Sequence, residues 1–282
     1  MTVATLKEVL EDASARRYAV AGLVVLGWED ALAFTQAAEE TGLPIILQAG
    51  PGCRRHTPLP ILGRMFRYLA EQARVPVACH IDHATTRDEC MSGIEHGFTS
   101  VMIDGSALPL DENIALTRAV VTAAQAAGVS VEGEVGIVGY ADGRPSSPTA
   151  AADASRFACE TGVDALAVSV GNLHLQTETL DGIDMAALQA IEAATDVPLV
   201  LHGGSGIPPD IRRRLALHHR VRKFNIGTEL RQAFGAALRT SIADQPASFD
   251  RIELLRPTIV PVRQAAAAII ANLGPDEASR AR

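Results

Sequence analysis

Short apolar runs alternate with longer segments of helical periodicity along this chain, and this alternation is what most restricts its fold. In the longer segments apolar residues recur every three or four positions, and several of these segments end at Gly or before a Val-Pro pair. Strands that alternate with helices pair in parallel through crossover helices, and eight such units predict closure into a (β/α)8 TIM barrel. The eight candidate strands are 18–26, 44–50, 75–82, 99–106, 129–136, 165–170, 197–205 and 221–228.

The length of 282 residues fits one barrel, so we expect a single domain over 1–282. An open doubly wound sheet is the alternative, but no GxGxxG motif opens a helix to favour it. Apolar residues make up 48% and aromatic residues 4% of the chain, which predicts a core of small and branched side chains. The sequence also predicts an N-terminal helix and an extra C-terminal helix after Ser248, for packing or subunit contact.

Charge and cysteine content restrict the partners and the compartment. A formal charge of −8 argues against nucleic acid or a membrane surface as a partner, because both need clustered cations. The four cysteines have no CxxC spacing, and the first twenty residues contain no continuous apolar stretch, so we expect a cytoplasmic protein. The basic run Arg212–Arg214 is expected to coat a solvated helix.

Three histidines each stand just past an apolar run: His83, His174 and His202. If those runs are parallel barrel strands, the three imidazoles converge on one mouth of the barrel. Neutral imidazole nitrogens suit Zn²⁺, which can keep a fourth position open for substrate, so the trio predicts a metal site. A lone histidine beside an apolar run is more often structural, and we interpret His80 in that way.

Several carboxylates fall at or near the same strand ends. Asp82 precedes His83, and Asp104 follows the fourth candidate strand. Glu132 and Glu134 share one face of the fifth strand by period-two alternation, and we expect both to point into the barrel. Glu132 and Asp104 are therefore candidates to orient a ligating histidine or to bind an alternative metal position.

Two glycine-containing segments resemble an anion site. LHGGSGIP (201–208) follows the seventh strand and NIGTEL (225–230) ends the eighth, where barrel enzymes often bind phosphate. Taken alone, the GGSG stretch could be a flexible turn. The aperiodic segment Gly136–Ala150 is either an active-site loop or a plain surface excursion.

Taken in order, these motifs resemble the class II, zinc-dependent ketose-bisphosphate aldolases, of the fructose- and tagatose-bisphosphate type. The resemblance extends from about Tyr18 to Phe234. The motifs that carry it are HIDH (80–83), SVMIDGS (100–106), VEGEVG (131–136), TGVDALAVSVGNLH (161–174), LHGGSGIP (201–208) and KFNIGTEL (223–230).

The resemblance implies reversible retro-aldol cleavage of a phosphorylated ketose to dihydroxyacetone phosphate, or a related ketone, and an aldehyde. It implies Zn²⁺ on His83, His174 and His202, with Asp82 as the catalytic acid/base. A monovalent cation such as Na⁺ or K⁺ and a homodimer or homotetramer are also expected. The residues that match the family's phosphate and dihydroxyacetone contacts are Gly203, Gly204, Ser205, Asn225, Ile226, Gly227 and Thr228.

Departures from the family concern substrate contacts. Gly22–Val24 stands where relatives read AFN, Gly50 replaces a Ser or Thr, and Leu175–Thr177 replaces a segment with Gly and a phosphate-binding Lys. Weaker candidates for substrate contacts are Gly171 and Leu175, and Asp142 is the candidate for an acid that relatives carry in the loop after the fifth strand. Arg54, Arg55 and Arg144 are the candidates to replace the lost cation. Neither lysine, Lys7 nor Lys223, is expected at the catalytic mouth, which disfavours Schiff-base chemistry.

Two functional hypotheses therefore remain open from sequence. The first is an active metal-dependent aldolase with a shifted substrate. The second is a non-catalytic or regulatory barrel that binds metal and a sugar phosphate.

Overall fold

All eight predicted strands form, and together they close into a parallel barrel. The computed structural model describes residues 2–139, 146–176 and 182–276. Closure occurs where β2 pairs with β9, with Val20 opposite Lys223. A short additional strand, β1 (Val3–Ala4), pairs with the amino end of β4 and was not predicted. The barrel strands are β2 (Val20–Val24), β3 (Ile45–Ala49), β4 (Val77–Ala84), β5 (Ser100–Ile103), β6 (Ser130–Val135), β7 (Ala165–Val168), β8 (Leu199–Leu201) and β9 (Val221–Ile226).

Helices connect successive barrel strands and cover the barrel outside. Beyond the predicted crossover helices, a short helix, α3, directly follows β3 and brings its residues to the mouth of the barrel. The helices are α1 (Leu6–Arg16), α2 (Trp28–Thr41), α3 (Pro51–His56), α4 (Leu59–Gln72), α5 (Arg87–Glu95), α6 (Leu110–Ala126), α7 (Ala151–Thr161), α8 (Met185–Ala194), α9 (Pro209–His218), α10 (Thr228–Asp244), α11 (Arg251–Leu255) and α12 (Ile259–Leu273).

The N-terminal helix α1 closes the amino-terminal end of the barrel. Thr5 and Glu8 form a capping box that starts this helix, which satisfies backbone donors at its first turn. Its apolar face packs on inward side chains near the start of the strands, so apolar side chains fill the amino-terminal end of the barrel. The buried cluster consists of Ala4, Leu6, Val9, Leu10, Ala13, Tyr18, Val20, Ile46, Ala78, Ala165, Ala167 and Val200.

Inward side chains change from apolar to polar toward the carboxyl ends of the strands. On β4 the inward series runs Ala78, His80, Asp82, and on β3 Ile46 is followed by Gln48. Side chains two residues apart point to the same side of a strand, so the amino-acid sequence directly sets this gradient. The polar layers lie at one mouth of the barrel.

The C-terminal helices pack against the barrel wall. Length and composition alone would allow Arg251–Leu273 to cross a membrane. In the structure this run is divided by a 3-10 turn at Arg256–Thr258, and α12 packs on α2. The face of α12 with Val262, Ala266 and Ile269 is buried in the core, as in the core helix of a globular protein.

Gly63 provides a test of the packing between α4 and the end of α5. A Cβ at this position would lie 2.0 Å from the backbone oxygen of His96, whereas at Gly235 on α10 it would meet only the Arg239 side chain at 3.5 Å. We expect Gly63→Ala to lower the free energy of unfolding by about 1–3 kcal/mol. Gly235→Ala should raise it by about 0.5–1 kcal/mol through helix propensity. Urea denaturation of both variants measures the change in the free energy of unfolding. Equal changes in the two variants would contradict the close packing of Gly63 against His96.

Candidate metal centre and active site

The three predicted histidines converge at the polar mouth of the barrel. His83 lies near the end of β4, His174 follows β7, and His202 comes directly after β8. The ring centroids of His83 and His202 are 4.6 Å apart, and those of His174 lie 5.2 and 5.5 Å from them. One ring nitrogen of each histidine lies within 4.8 Å of the others, which is the spacing of ligands around a single ion.

Buried polar atoms indicate which ring nitrogens are available to a metal ion. Among the described residues, His83 Nε2 and His202 Nδ1 form no hydrogen bond, and Glu134 Oε2 lies 3.3 Å from His202 Nδ1. The opposite ring nitrogens are occupied: His83 Nδ1 lies 2.7 Å from Asp104 and His202 Nε2 lies 3.0 Å from Glu132. A neutral imidazole has one donor and one acceptor nitrogen, so once His83 has lost its second proton, as a metal ligand must, both rings present a lone pair to the same space. The residues present therefore fit a zinc ion.

A second group of possible ligands shares His83. Its atoms, from His83, Asp104 and Glu134, also lie within 4.8 Å of one another. Glu134 Oε2 is buried and has no hydrogen-bond partner within the described part of the chain. The two groups together describe a site in which carboxylates surround the histidine cluster.

The carboxylates make this site favourable for positive charge. Burial lowers the pKa of His83, but Asp82, Asp104 and Glu134 outweigh burial and raise it to about 10. Burial, with Asp104 adding to it, raises the pKa of Glu134 to about 8. Burial lowers the pKa of His202, and His83 lowers it further. A divalent cation would meet the same negative charge that raises the pKa of His83.

Asp82 lies beside the histidines with a buried carboxylate. Its Oδ1 accepts a hydrogen bond of 3.0 Å from Asn225 Nδ2. Burial raises the pKa of Asp82, but His83, His202 and Lys223 lower it more, so the net pKa is below the ordinary value. Asp82 is therefore a carboxylate at neutral pH and lines the cavity described below.

Arg54 holds the end of β4 from outside the cavity. Its guanidinium donates to the backbone oxygens of Asp82 at 2.5 Å and His83 at 3.0 Å, and to the carboxylate of Glu89 at 2.8 Å. His83 has a φ of 53°, in the left-handed region that non-glycine residues rarely adopt. We infer that Arg54 stabilises this unusual backbone rather than reaching toward substrate.

A cavity of about 470 Å³ opens beside the histidines. It is bounded by β8 and β9 on one side and by β2 and β3 on the other. Of the predicted substrate contacts, Gly203, Ser205, Asn225, Gly227, Thr228 and Leu175 line it. Gly204, Ile226, Gly171 and Arg54 do not, and the Ile226 side chain is part of the outer core. Asp142 and Arg144 lie outside the described residues.

The two predicted anion loops are joined by side-chain hydrogen bonds. Ser205 Oγ accepts from the backbone N–H groups of Gly227 and Glu229, both at 3.3 Å. Arg212 donates to the Gly204 backbone oxygen at 3.4 Å and to the Glu229 carboxylate. The expectation that Arg212 coats a solvated face is wrong, because its side chain is only 3% exposed and neutralises Glu229 behind the loops.

A family model described as "Fructose-bisphosphate aldolase class-II" matches residues 4–277. The chain belongs to this family. It is 36% identical to the 6-phospho-5-dehydro-2-deoxy-D-gluconate aldolase of Bacillus licheniformis, over 94% of this chain and 92% of the relative. It is 37% identical to the fructose-bisphosphate aldolase of Geobacillus stearothermophilus, over 91% of this chain and 92% of the relative.

Solved structures of class II aldolases share the fold. The YdjI aldolase from Escherichia coli superposes with a TM-score of 0.86 at 31% identity, covering 98% of this chain and 99% of that one. The putative fructose-1,6-biphosphate aldolase from Coccidioides immitis gives a TM-score of 0.83 at 25% identity, covering 98% of each chain. The barrel geometry is therefore that of the family.

Gly22 on β2 lies against two polar side chains inside the barrel. A Cβ at Gly22 would lie 1.7 Å from Gln48 Oε1 and 3.0 Å from Asn225 Oδ1. Gln48 is fully buried in the barrel, and its amide occupies the space that a side chain at position 22 would fill. A larger residue at position 22 would therefore require the Gln48 amide to move.

Two site residues were not predicted from the sequence, Arg231 and Asn172. Arg231 on α10 lines the cavity together with Arg55 on α3, which was predicted as one replacement for a missing cation. Asn172 is fully buried and donates to the backbone oxygen of His202 at 3.1 Å. The helical spacing of Arg231 and the NLH context of Asn172 gave no signal that separated them from ordinary surface or loop residues.

Arg54 and its neighbour Arg55 provide a matched test of the β4 clamp. Arg54→Gln removes charge-assisted hydrogen bonds to the Asp82 and His83 backbone, and should lower the free energy of unfolding by about 2–4 kcal/mol. Arg55 is exposed, so Arg55→Gln should change it by less than about 0.5 kcal/mol. Thermal unfolding compares the loss of stability in the two variants. A smaller loss for Arg54→Gln than for Arg55→Gln would show that the clamp is not stabilising.

Proposed function

We propose that this protein is a zinc-dependent aldolase. It reversibly cleaves a phosphorylated ketose to dihydroxyacetone phosphate, or a related ketone, and an aldehyde. The observation that carries the proposal is the convergence of three histidine nitrogens beside the buried carboxylate of Asp82, at the wall of one cavity. Membership of the class II aldolase family supports the same reaction.

His83, His174 and His202 would hold the metal. Bound there, Zn²⁺ would supply Lewis-acid polarisation of the substrate's ketone. Asp104 and Glu132 would orient the ligating rings through the hydrogen bonds at His83 Nδ1 and His202 Nε2. A second set of possible ligands, His83 with Asp104 and Glu134, could also hold a metal ion.

Asp82 would move the proton. In the cleavage direction, its carboxylate accepts the proton of the substrate hydroxyl next to the breaking carbon–carbon bond. In the condensation direction, it returns that proton to the aldehyde oxygen. The hydrogen bond from Asn225 orients the carboxylate, and the lowered pKa keeps it ionised in the free site.

The loops after β8 and β9 would hold the phosphate. Gly203, Ser205, Gly227 and Thr228 face the cavity, and the amino end of the 17-residue helix α10 adds the positive end of its dipole. Arg231 and Arg55 supply positive charge to the same cavity. A monovalent cation such as Na⁺ or K⁺ near the phosphate is part of this proposal.

The relatives' names support a phosphorylated ketose or keto acid as the substrate. One relative acts on a phosphorylated sugar acid and another on a bisphosphate, according to their names. In this chain the β2 and β3 side of the cavity carries Val24, Leu26 and Gly50, which offer no hydroxyl or amide side chain to an aldehyde. We infer a substrate whose aldehyde portion differs from that of fructose bisphosphate, in a cytoplasmic homodimer or homotetramer.

Substitution of Asp82 tests the reaction. Asp82→Asn preserves shape but removes the base, so kcat for retro-aldol cleavage should fall by about 10²–10⁴-fold. Zinc content should stay near that of the wild type, because Asp82 is not one of the three proposed zinc ligands. Asp111→Asn, at an exposed carboxylate on α6, serves as the control and should leave kcat unchanged.

The measurement is the release of aldehyde from a panel of ketose phosphates by the zinc-loaded protein. A wild type that cleaves none of them while binding zinc and a sugar phosphate would support the non-catalytic alternative. Turnover that survives Asp82→Asn would overturn the assigned role of Asp82.

A further inference from the structure

Lys223 is a buried cation directly beneath the proposed metal centre. It is fully buried on β9, and its Nζ lies 2.5 Å from Glu132 Oε2 and 3.4 Å from His80 Nε2. It does not line the cavity, and Lys7, the other lysine of the chain, is exposed. Burial of a charged group is costly unless it is paired, so a lysine kept here needs a reason beyond packing.

His80 is oriented by the same ammonium. Burial and the nearby Lys223 charge lower the pKa of His80 well below its usual value, so the ring is neutral. An ammonium group only donates, and therefore His80 Nε2 accepts from Lys223. The proton of the ring is then on Nδ1, which donates to Ser100 Oγ at 2.8 Å.

Glu132 divides its two oxygens between Lys223 and a metal ligand. Oε2 accepts from Lys223, and Oε1 lies 3.0 Å from His202 Nε2. A carboxylate in this position accepts the Nε2–H of His202, which leaves the lone pair on Nδ1. His202 Nδ1 forms no hydrogen bond within the described ranges, and Glu134 Oε2, an atom of the second possible ligand group, lies 3.3 Å from it.

We propose that Lys223 is a positioning residue that acts through Glu132 to set the tautomer and orientation of His202 toward the metal. The inference rests on the proposed metal site but not on the aldol reaction. It assigns the buried lysine to the support of a metal ligand. Its amine is fully buried, contacts Glu132 and His80, and does not line the cavity.

A competing explanation for Lys223 predicts the opposite change in zinc affinity when the lysine is removed. If Lys223 acted only by its charge, it would repel a divalent ion, and removing it would strengthen metal binding. If Lys223 holds Glu132 in place, removing it releases Glu132 and weakens binding. The direction of the change in zinc affinity therefore separates the two.

The experiment measures zinc affinity by chelator competition in a double-mutant cycle. Lys223→Met should weaken zinc binding by about tenfold or more, as expected for the loss of a ligand's support. Lys223→Gln keeps a donor for Glu132 and should stay within about threefold of the wild type. In the Glu132→Gln background, adding Lys223→Met should cause no further loss, because the route through Glu132 is already removed.

A second measurement needs no variant. Nitrogen-15 chemical shifts of the histidine rings in protein without added metal should show His202 protonated at Nε2. Protonation at Nδ1 in the wild type would overturn the proposal, even if Lys223→Met does not fold. Tighter zinc binding in both Lys223→Met and Lys223→Gln would also overturn it. So would a loss of zinc affinity on adding Lys223→Met to Glu132→Gln that equals the loss in the wild-type background. Neither readout uses turnover, so an inactive protein would contradict the proposed reaction and leave this inference standing.

Discussion

Closure of the parallel barrel is the constraint on which the site depends. Each strand runs in the same direction, so eight strand ends meet at one mouth, and residues distant in sequence share a small volume. The hydrogen bond between Asp82 and Asn225 joins residues 143 positions apart. The helix α1 closes the opposite end with apolar side chains, which leaves the polar mouth as the open end of the barrel.

The barrel interior concentrates ionisable groups at a cost that pairing offsets. Glu132 and Lys223 are fully buried and face each other, and Asp104 lies against His83. Removing one member of such a pair leaves an uncompensated buried charge, which commonly costs about 3–5 kcal/mol. The carboxylates in turn raise the pKa of His83, and a divalent cation bound among the histidines would meet the same negative charge.

Periodicity and strand-end position predicted most of the barrel. The eight strands, the N-terminal helix and the convergence of His83, His174 and His202 follow from the period-two alternation of each run and from the parallel arrangement. The sequence did not predict the buried contacts of Arg54, Arg212 and Lys223, because it shows a charge but not the acceptors that the fold brings to it. Arg54 meets backbone oxygens 28 and 29 residues away, and no local pattern encodes that distance.

Gly203 links the two halves of the site mechanically. It has a φ of 66°, and a Cβ there would lie 1.9 Å from the backbone oxygen of Leu173, the residue before His174. The loop that presents a metal ligand therefore rests directly on the backbone of the loop that faces the anion pocket. A side chain at position 203 would force the two loops apart. The proposed metal ligand His174 and the proposed anion loop can therefore lie this close because residue 203 has no side chain.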